Sequence, residues 1–188
     1  MRYPHHQTAE RHQRILDEAS RLFRARGFTG ASIGDVMKAS GLTHGGFYAH
    51  FESKEALACA SLEHAMSSML EAEVQHMKDA GSNAKADFLS RYLSATHRDH
   101  PEEGCPMAAL VIDVARESAV RSTFTDRFKA MLTTLGEHLP WKMGRAKERQ
   151  VMHFTAAMVG AVVLARAVDD PKLSEAILAS VREELLAR

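Results

Sequence analysis

The stretch GLTHGGFYAHFESKE, residues 41–55, decides the fold that we expect for this chain of 188 residues. It places two adjacent glycines, Gly45 and Gly46, near the start of a short predicted helix. Glycine weakens a helix by roughly 1 kcal/mol relative to alanine, so a specific role is expected for them. On a helical wheel of about 100° per residue, Phe47 and Phe51 define the inward side. Gly45 then faces outward, where the helix backbone can come close to another molecule.

Helical patterns extend from this stretch in both directions. Between Arg11 and Arg26 the apolar residues recur at the spacing of an amphipathic helix, and Gly27 is expected to end it. Ser32, Thr43 and Ser53 are predicted N-caps of the second, third and fourth helices. Further helices are predicted over 54–78, 84–98, 106–118, 120–138, 144–168 and 171–187. No alternating strand pattern is found, so the predicted fold class is all-α with about nine helices.

The composition argues against several classes of protein. The 24 basic and 24 acidic residues cancel, so any nucleic-acid contact must be local. No uninterrupted apolar run reaches the roughly 18 residues of a membrane helix, and residues 1–10 lack the apolar core of a signal peptide. The two cysteines, Cys59 and Cys105, have no zinc-ligand spacing and are predicted to be reduced thiols. We therefore predict a cytoplasmic protein with no membrane partner, no bound metal and no cofactor.

The first three predicted helices have the layout of a helix-turn-helix DNA-binding domain. Tyr48 and His50 flank the outward Gly45 and can reach the phosphates on the two walls of the major groove. Lys54 opens the fourth helix, where free backbone N–H groups also favour a phosphate. A role in packing alone stays open, because such hairpins also occur as structural motifs and no Lys or Arg lies between residues 39 and 53.

The segment from Ile15 to Leu57 resembles the N-terminal domain of the TetR (TetR/AcrR) family of bacterial transcription regulators. The resemblance implies a DNA-binding domain over residues 1–53 and a ligand-sensing and dimerisation domain over residues 54–188. Members of that family are homodimers that bind a palindromic operator in double-stranded DNA, and a ligand usually releases them. By position, the resemblance implies DNA contacts from Ser32, Thr43, His44, Gly45, Tyr48, His50 and Lys54.

Two positions depart from the pattern of that family. Ala31 stands where Thr is common, which removes a possible phosphate-binding hydroxyl. His44 stands where Lys or Pro is common. Because histidine titrates near neutral pH, we expect operator affinity to change between about pH 6 and pH 8.

A second candidate site lies in HPEEGCPMAALVIDVARES, residues 100–118. Pro106 is expected at the first position of a helix, which puts Cys105 at or near its N-cap. A thiol there faces the positive end of the helix dipole, so a lowered pKa is predicted, although Glu102 and Glu103 oppose it. A subgroup of the family that carries Gly-Cys-Pro here is similar and responds to electrophiles or oxidants. Cys105 is therefore a candidate sensor, and the alternative is a small apolar residue at a pocket rim.

The second half of the chain also predicts an effector pocket and a dimer interface. Flexible and apolar side chains inside the helical bundle are the candidates for the pocket lining. They are Met66, Met69, Leu70, Met107, Leu110, Val111, Phe124, Phe128 and Met131. The last two helices combine small and apolar residues, which favours a four-helix bundle with a second copy, although an internal core helix is the alternative. The predicted interface residues are Phe154, Ala157, Met158, Ala161, Val162, Ala165, Ile177, Leu178, Val181 and Leu185.

Together these features predict a DNA-binding repressor that is released by a small molecule or by modification of Cys105. Its partners would be an operator, an effector and a second copy of the chain. Catalysis is not expected, because no nucleophile-elbow motif is present. The alternatives from other classes are a small thiol-dependent enzyme and a helical adaptor that binds protein through the helix-turn-helix.

Overall fold

The computed structural model describes residues 5–143 and 146–187. Within these ranges the chain forms nine α-helices and no strand, which confirms the all-α class. The helices are α1 His5–Gly30, α2 Ile33–Ala39, α3 Lys54–Ala80, α4 Ala84–Tyr92, α5 Ala95–Asp99, α6 Pro106–Arg116, α7 Arg121–His138, α8 Lys147–Ala167 and α9 Pro171–Ala187. Three 3₁₀ helices connect them, His44–Ala49, Gly81–Asn83 and Ser118–Val120.

The short helix that carries the paired glycines differs in type from the predicted one. It is a 3₁₀ helix that ends at Ala49, not an α-helix that reaches Phe51. Its first turn is closed by a hydrogen bond of 3.0 Å from the Gly46 N–H to the Thr43 carbonyl. This bond joins residues three apart, which is the tighter turn of a 3₁₀ helix and is common in short helical segments.

Two other boundaries follow from local capping. The predicted helix over 84–98 is split, because the Ser94 hydroxyl accepts the His97 N–H at 3.1 Å and starts α5 as a new helix. Gly27 has φ of 73° inside α1, so the regular helix is interrupted at the predicted position. For the helix predicted over 144–168, positions 144 and 145 lie outside the described residues, and α8 begins at Lys147.

The long helix α3 connects the N-terminal helices to the remainder of the bundle. It packs against α1 on one side and against α4 and α7 further along. The N-terminal helix α1 also packs against α6, so the segment that carries Cys105 lies against the candidate DNA-binding unit. Both cysteines are free thiols, and the Cys59 Sγ donates to the Ala119 carbonyl at 3.3 Å.

By length and composition, helix α8 could cross a bilayer. This property is not predicted from the sequence, because only uninterrupted apolar runs are considered there. In this fold α8 packs against α6, α7 and α9. Phe154, Met158 and Val162 are buried, and Arg166 near its end donates hydrogen bonds to α5. Core helices of bundles meet the same length and composition criterion.

Candidate nucleic-acid interface and effector site

The exposed side of the helix His44–Ala49 is the candidate DNA-reading surface. Thr43, His44 and Gly45 are exposed at its N-terminal end, and Tyr48 is 67% exposed. The Tyr48 ring touches the protein through an edge contact with Phe47, with ring centroids 5.1 Å apart. Four of the seven residues predicted to contact DNA therefore lie together on solvent-facing surface.

The inward side of the same helix is fixed by aromatic residues, as the sequence predicted. Phe47 is fully buried and Phe51 is 7% exposed. A Cβ added to Gly45 would meet nothing within 4 Å, which agrees with the predicted outward position. A Cβ added to Gly46 would lie 3.7 Å from Met37 Cε, so this glycine faces α2. The two glycines thus differ in role, and Gly45 alone leaves the backbone open to a ligand.

The two predicted N-caps before this surface differ in how their hydroxyls are used. The Ser32 Oγ accepts the Asp35 N–H at 3.1 Å and donates to the Asp35 carboxylate at 2.6 Å. The Ser32 N–H also donates to Asp35, so this residue forms a capping box and has little left to offer a phosphate. Thr43 occupies the N-cap position, but its side chain makes no capping hydrogen bond, contrary to the prediction. Ala31 is fully buried and does not reach the surface.

The surroundings of His50 include residues that the sequence reasoning missed. Its ring centroid lies 5.9 Å from that of His12, and His12 stacks on Phe51 at 4.7 Å. Burial lowers the pKa of His50, and the nearby His12 and Arg11 lower it further. Arg11 of α1 therefore brings a cation close to a helix that has no Lys or Arg of its own. Lys54 is half-buried at the first position of α3.

The Cys105 thiol occupies the predicted N-cap position of α6, but its predicted acidity is wrong. Pro106 begins α6 directly after it, as expected. Cys105 is only 3% exposed. Burial raises its pKa, although contacts with Tyr92 and with the first N–H groups of α6 act in the opposite direction. Desolvation of the thiolate therefore outweighs the favourable helix terminus.

His97 holds the backbone of the Cys105 loop in place. Its Nε2 accepts the Cys105 N–H at 2.8 Å, and its Nδ1 donates to the Tyr92 carbonyl at 2.6 Å. These two bonds require the neutral imidazole, and burial lowers the pKa of His97 accordingly. A Cβ at Gly104 would lie 2.4 Å from His97 Cδ2, so only glycine fits before the cysteine. With both ring nitrogens bonded to backbone, His97 is not available as a metal ligand.

A cavity of about 470 Å³ opens beside Cys105. Tyr92, His97 and Met69 form part of its wall. The Arg166 Nη1 is buried and has no hydrogen-bond partner among the residues that the structure describes. The other guanidinium nitrogens of Arg166 donate to the carbonyls of His97 and Arg98, at 2.6 and 2.9 Å. This nitrogen, close to the thiol, is thus left for another molecule to satisfy, whereas the Tyr92 hydroxyl already contacts Cys105.

One hydrogen bond ties the Cys105 loop to the N-terminal helices. The Arg24 Nη1 of α1 donates to the Gly104 carbonyl at 2.9 Å, while its Nε donates to the Ser20 carbonyl at 3.1 Å. Burial lowers the pKa of Arg24. These two residues lie 80 positions apart, so no sequence pattern pairs them. A shift of the Cys105 loop would therefore act directly on α1.

Most of the predicted pocket residues do not line the three cavities described among residues 5–143 and 146–187, so the predicted lining stays a prediction. Of the nine residues proposed from sequence, Met69 is the one that lines a cavity of these three, the one beside Cys105. Four are buried in the core, namely Met66, Met107, Leu110 and Met131. The half-buried ones are Leu70, Val111, Phe124 and Phe128. Helical periodicity marks an inward side chain but does not distinguish close packing from a cavity wall.

The predicted dimer interface consists mostly of buried residues. Seven of its ten residues are buried within the protomer, so they leave little surface for a second copy. They are Phe154, Met158, Ala161, Val162, Ala165, Leu178 and Leu185. Ala157, Ile177 and Val181 are half-buried and remain candidates. The alternative interpretation, an internal core helix, therefore describes this face of α8.

Among the described residues, no group of three or more His, Cys, Asp or Glu side chains is arranged to hold a metal ion. The site thus consists of an exposed helix, a buried thiol with its cavity, and a hydrogen bond that joins the two regions. This combination defines a helix-turn-helix protein with an internal cavity in its second half.

Comparison with known proteins relates the N-terminal part of the chain to a known family. Residues 15–60 match the family described as "Bacterial regulatory proteins, tetR family". The transcriptional regulator AcrR of Shigella flexneri is 39% identical over 67 residues, which are 36% of this chain and 31% of AcrR. The transcriptional repressor DhaR of Mycobacterium sp. (strain GP1) is 27% identical over 111 residues, 59% of this chain and 56% of DhaR. These alignments cover from about a third to just over half of the relatives' lengths.

A solved structure shares the fold over nearly the full chain. The reduced form of Escherichia coli NemR superposes with a TM-score of 0.75 at 21% sequence identity, covering 93% of this chain and 96% of that one. The match at residues 15–60, the named relatives and the shared fold agree with one another. Residues 15–60 are thus similar to the N-terminal domain of the TetR family of bacterial transcription regulators, and the rest of the chain shares the fold of solved structures from that family.

Proposed function

We propose that the chain is a sequence-specific DNA-binding repressor that acts as a homodimer and is released by an effector bound beside Cys105. The observation that carries the proposal is the exposed surface of Thr43, His44, Gly45 and Tyr48, held from behind by the buried Phe47. The named relatives are transcription regulators, and one is a repressor, which supports binding over catalysis. We propose a cytoplasmic location, because the proposed partner is operator DNA.

In the proposed complex, the helix His44–Ala49 enters the major groove. Gly45 lets the backbone approach the base edges, and Tyr48, His50 and Lys54 contact phosphates. Ser32 contributes as the cap of α2, because Asp35 already occupies its hydroxyl. We place the boundary between the DNA-binding and sensing domains at residues 53 and 54, where α3 begins.

We propose that the second copy packs on the apolar side chains that α8 and α9 leave exposed. On α8, Met152 is 58% exposed, and Ala156 and Val163 lie on the same face. On α9, Leu173 is 48% exposed. A Cβ on Gly160 would meet nothing within 4 Å, so another helix can approach α8 closely there.

This interface predicts the effect of a charge placed within it. Met152→Glu should shift the protein from dimer to monomer in sedimentation velocity, because it buries a carboxylate without a partner. Met143→Glu, at a residue that is 98% exposed in a loop, is the matched control and should remain a dimer. A Met152→Glu protein that sediments like the control would place the interface elsewhere.

The proposed effector enters the cavity beside Cys105 and carries a hydrogen-bond acceptor for the Arg166 Nη1. A second route is covalent, through an α,β-unsaturated carbonyl compound. The Cys105 Sγ then bonds to the β-carbon, and the thiol proton ends on the α-carbon. Because burial raises the pKa of Cys105, this addition should be slower than that of a free thiol. Displacement of the loop would reach α1 through the Arg24–Gly104 hydrogen bond.

Selection from random-sequence DNA tests the DNA-binding part of the proposal. The purified protein should enrich a palindrome whose half-sites are separated by about one helical turn or a multiple of it. A protein with Tyr48→Ala should enrich nothing. The absence of any enriched sequence with the wild type would contradict sequence-specific binding.

The covalent route has a separate test, because the chain has two cysteines that can be exchanged independently. N-ethylmaleimide should release the selected DNA from the wild type and from Cys59→Ser, but not from Cys105→Ser. Equal release from Cys105→Ser and the wild type would show that Cys105 is a packing residue.

A further inference from the structure

A larger cavity lies at the opposite end of the second domain, away from Cys105. It has a volume of about 580 Å³, within the range of small-molecule sites, and lies between α4, α8, α9 and the loop before α8. None of the residues that line the Cys105 cavity belongs to it. It is therefore a separate site with its own chemistry.

Among the described residues that line this cavity, the titratable ones all have basic side chains. They are Lys85, Lys142, Arg149 and His153. Lys85 forms no ion pair with any residue that the structure describes, and it lies close enough to Lys142 for the two ammonium charges to repel. Burial is the larger cause of the lowered pKa of Lys85, and the repulsion from Lys142 adds to it. An anion between the two lysines would relieve the repulsion.

The other side chains that line this cavity include aromatic and apolar ones. Trp141 stands edge-on to Phe154, with ring centroids 5.5 Å apart, and the Lys85 Nζ lies 5.9 Å from the Phe154 centroid. The Trp141 Nε1 donates to the Leu135 carbonyl at 3.2 Å, so the indole N–H is already occupied. Leu185 of α9 adds to the apolar lining. These side chains suit a hydrocarbon or aromatic body, and the indole offers no further polar group.

Hydrogen bonds hold Lys142, the residue after Trp141, against α8 and α9. The Lys142 N–H donates to the Gln150 Oε1 at 3.2 Å. The Gln150 Nε2 donates to the Lys142 carbonyl at 3.0 Å. The Lys142 Nζ donates to the Ala187 carbonyl at 3.2 Å and has two further N–H donors. A ligand would therefore find its contact with Lys142 already positioned.

We propose that this cavity binds an amphipathic organic anion, with its carboxylate between Lys85 and Lys142 and its apolar body against Trp141 and Phe154. The site is independent of the one proposed for the effector beside Cys105. A carboxylate ligand should bind with higher affinity than a neutral ligand of equal shape, because charge-assisted hydrogen bonds to the two ammonium groups are stronger than neutral hydrogen bonds.

The single tryptophan of the chain provides a direct readout, because Trp141 lines the cavity. We would titrate the purified protein with 4-phenylbutyrate and, in parallel, with the neutral amide 4-phenylbutyramide, exciting at a wavelength that only tryptophan absorbs. The acid should give a saturable change in emission, and the amide should bind at least tenfold more weakly. Equal affinity for the two compounds, or no saturable change with the acid, would overturn the proposal.

Charge variants locate the site. Lys85→Gln should weaken 4-phenylbutyrate binding roughly tenfold, the effect of removing one charge-assisted hydrogen bond. Lys142→Gln is a second variant for the same prediction, should Lys85→Gln fail to fold by circular dichroism. Lys129→Gln, on the exposed face of α7, and Cys105→Ser should bind like the wild type. Wild-type affinity in both the Lys85 and Lys142 variants would also overturn the proposal.

Discussion

Replacement of Gly104 by alanine tests the account of the Cys105 loop. A Cβ at this position would lie 2.4 Å from His97 Cδ2 and 2.7 Å from His97 Nε2. The ring cannot swing aside cheaply, because it is bonded to the Tyr92 carbonyl at 2.6 Å and to the Cys105 N–H at 2.8 Å. Gly104→Ala must therefore break a buried hydrogen bond or strain the loop, and each outcome costs about 1–3 kcal/mol.

We expect Gly104→Ala to lower the free energy of unfolding by about 2 kcal/mol, or roughly 1 M in the urea midpoint. Unfolding is measured at one protein concentration, because the stability of a dimer depends on concentration. In a His97→Ala background the same substitution should cost much less, since the ring is gone. A loss below about 0.5 kcal/mol, the usual range for surface substitutions, or an equal loss in both backgrounds, would refute this reasoning.

Three further predictions concern the DNA surface, the buried histidine and the link between the domains. Gly45→Ala should weaken operator binding in a gel shift while leaving the unfolding midpoint unchanged or slightly raised, because its Cβ enters open space. Burial lowers the pKa of His97, so below about pH 6.5 the unfolded chain binds a proton that the folded chain excludes. Stability should therefore fall from pH 7.5 to pH 5.5, and His97→Gln should reduce that slope; an unchanged slope would contradict it. Arg24→Gln should keep operator affinity within about threefold of the wild type but reduce release by N-ethylmaleimide, and full release would show that the Arg24–Gly104 bond is not the link.

Local features of the fold could be predicted because their causes lie within a few residues. The spacing of Phe47 and Phe51 indicates the buried side of the helix His44–Ala49, and both are buried. Ser32 caps α2, and Pro106 begins α6 with Cys105 before it. In each case one turn of helix contains the whole physical reason.

Features that depend on distant residues could not be predicted in this way. The helix terminus predicts an acidic Cys105 thiol, but its burial, which no local pattern reveals, raises the pKa. His12 lies against Phe51, and Arg24 bonds to Gly104, across 39 and 80 positions of sequence. In α8 the apolar residues surround the helix, so periodicity could not separate the buried Phe154 and Met158 from the exposed Met152.

The central claim is that the exposed surface around Tyr48 binds DNA. The most direct measurement is the affinity of the wild type and of Tyr48→Ala for the selected operator, by fluorescence anisotropy over a range of salt concentrations. Tyr48 is 67% exposed, so its removal should leave the thermal unfolding midpoint unchanged while weakening binding. We predict a loss of at least about tenfold, the effect of one charge-assisted hydrogen bond, and a wild-type affinity that falls steeply with salt. If Tyr48→Ala binds as tightly as the control Lys129→Ala, the proposed DNA-reading surface is wrong.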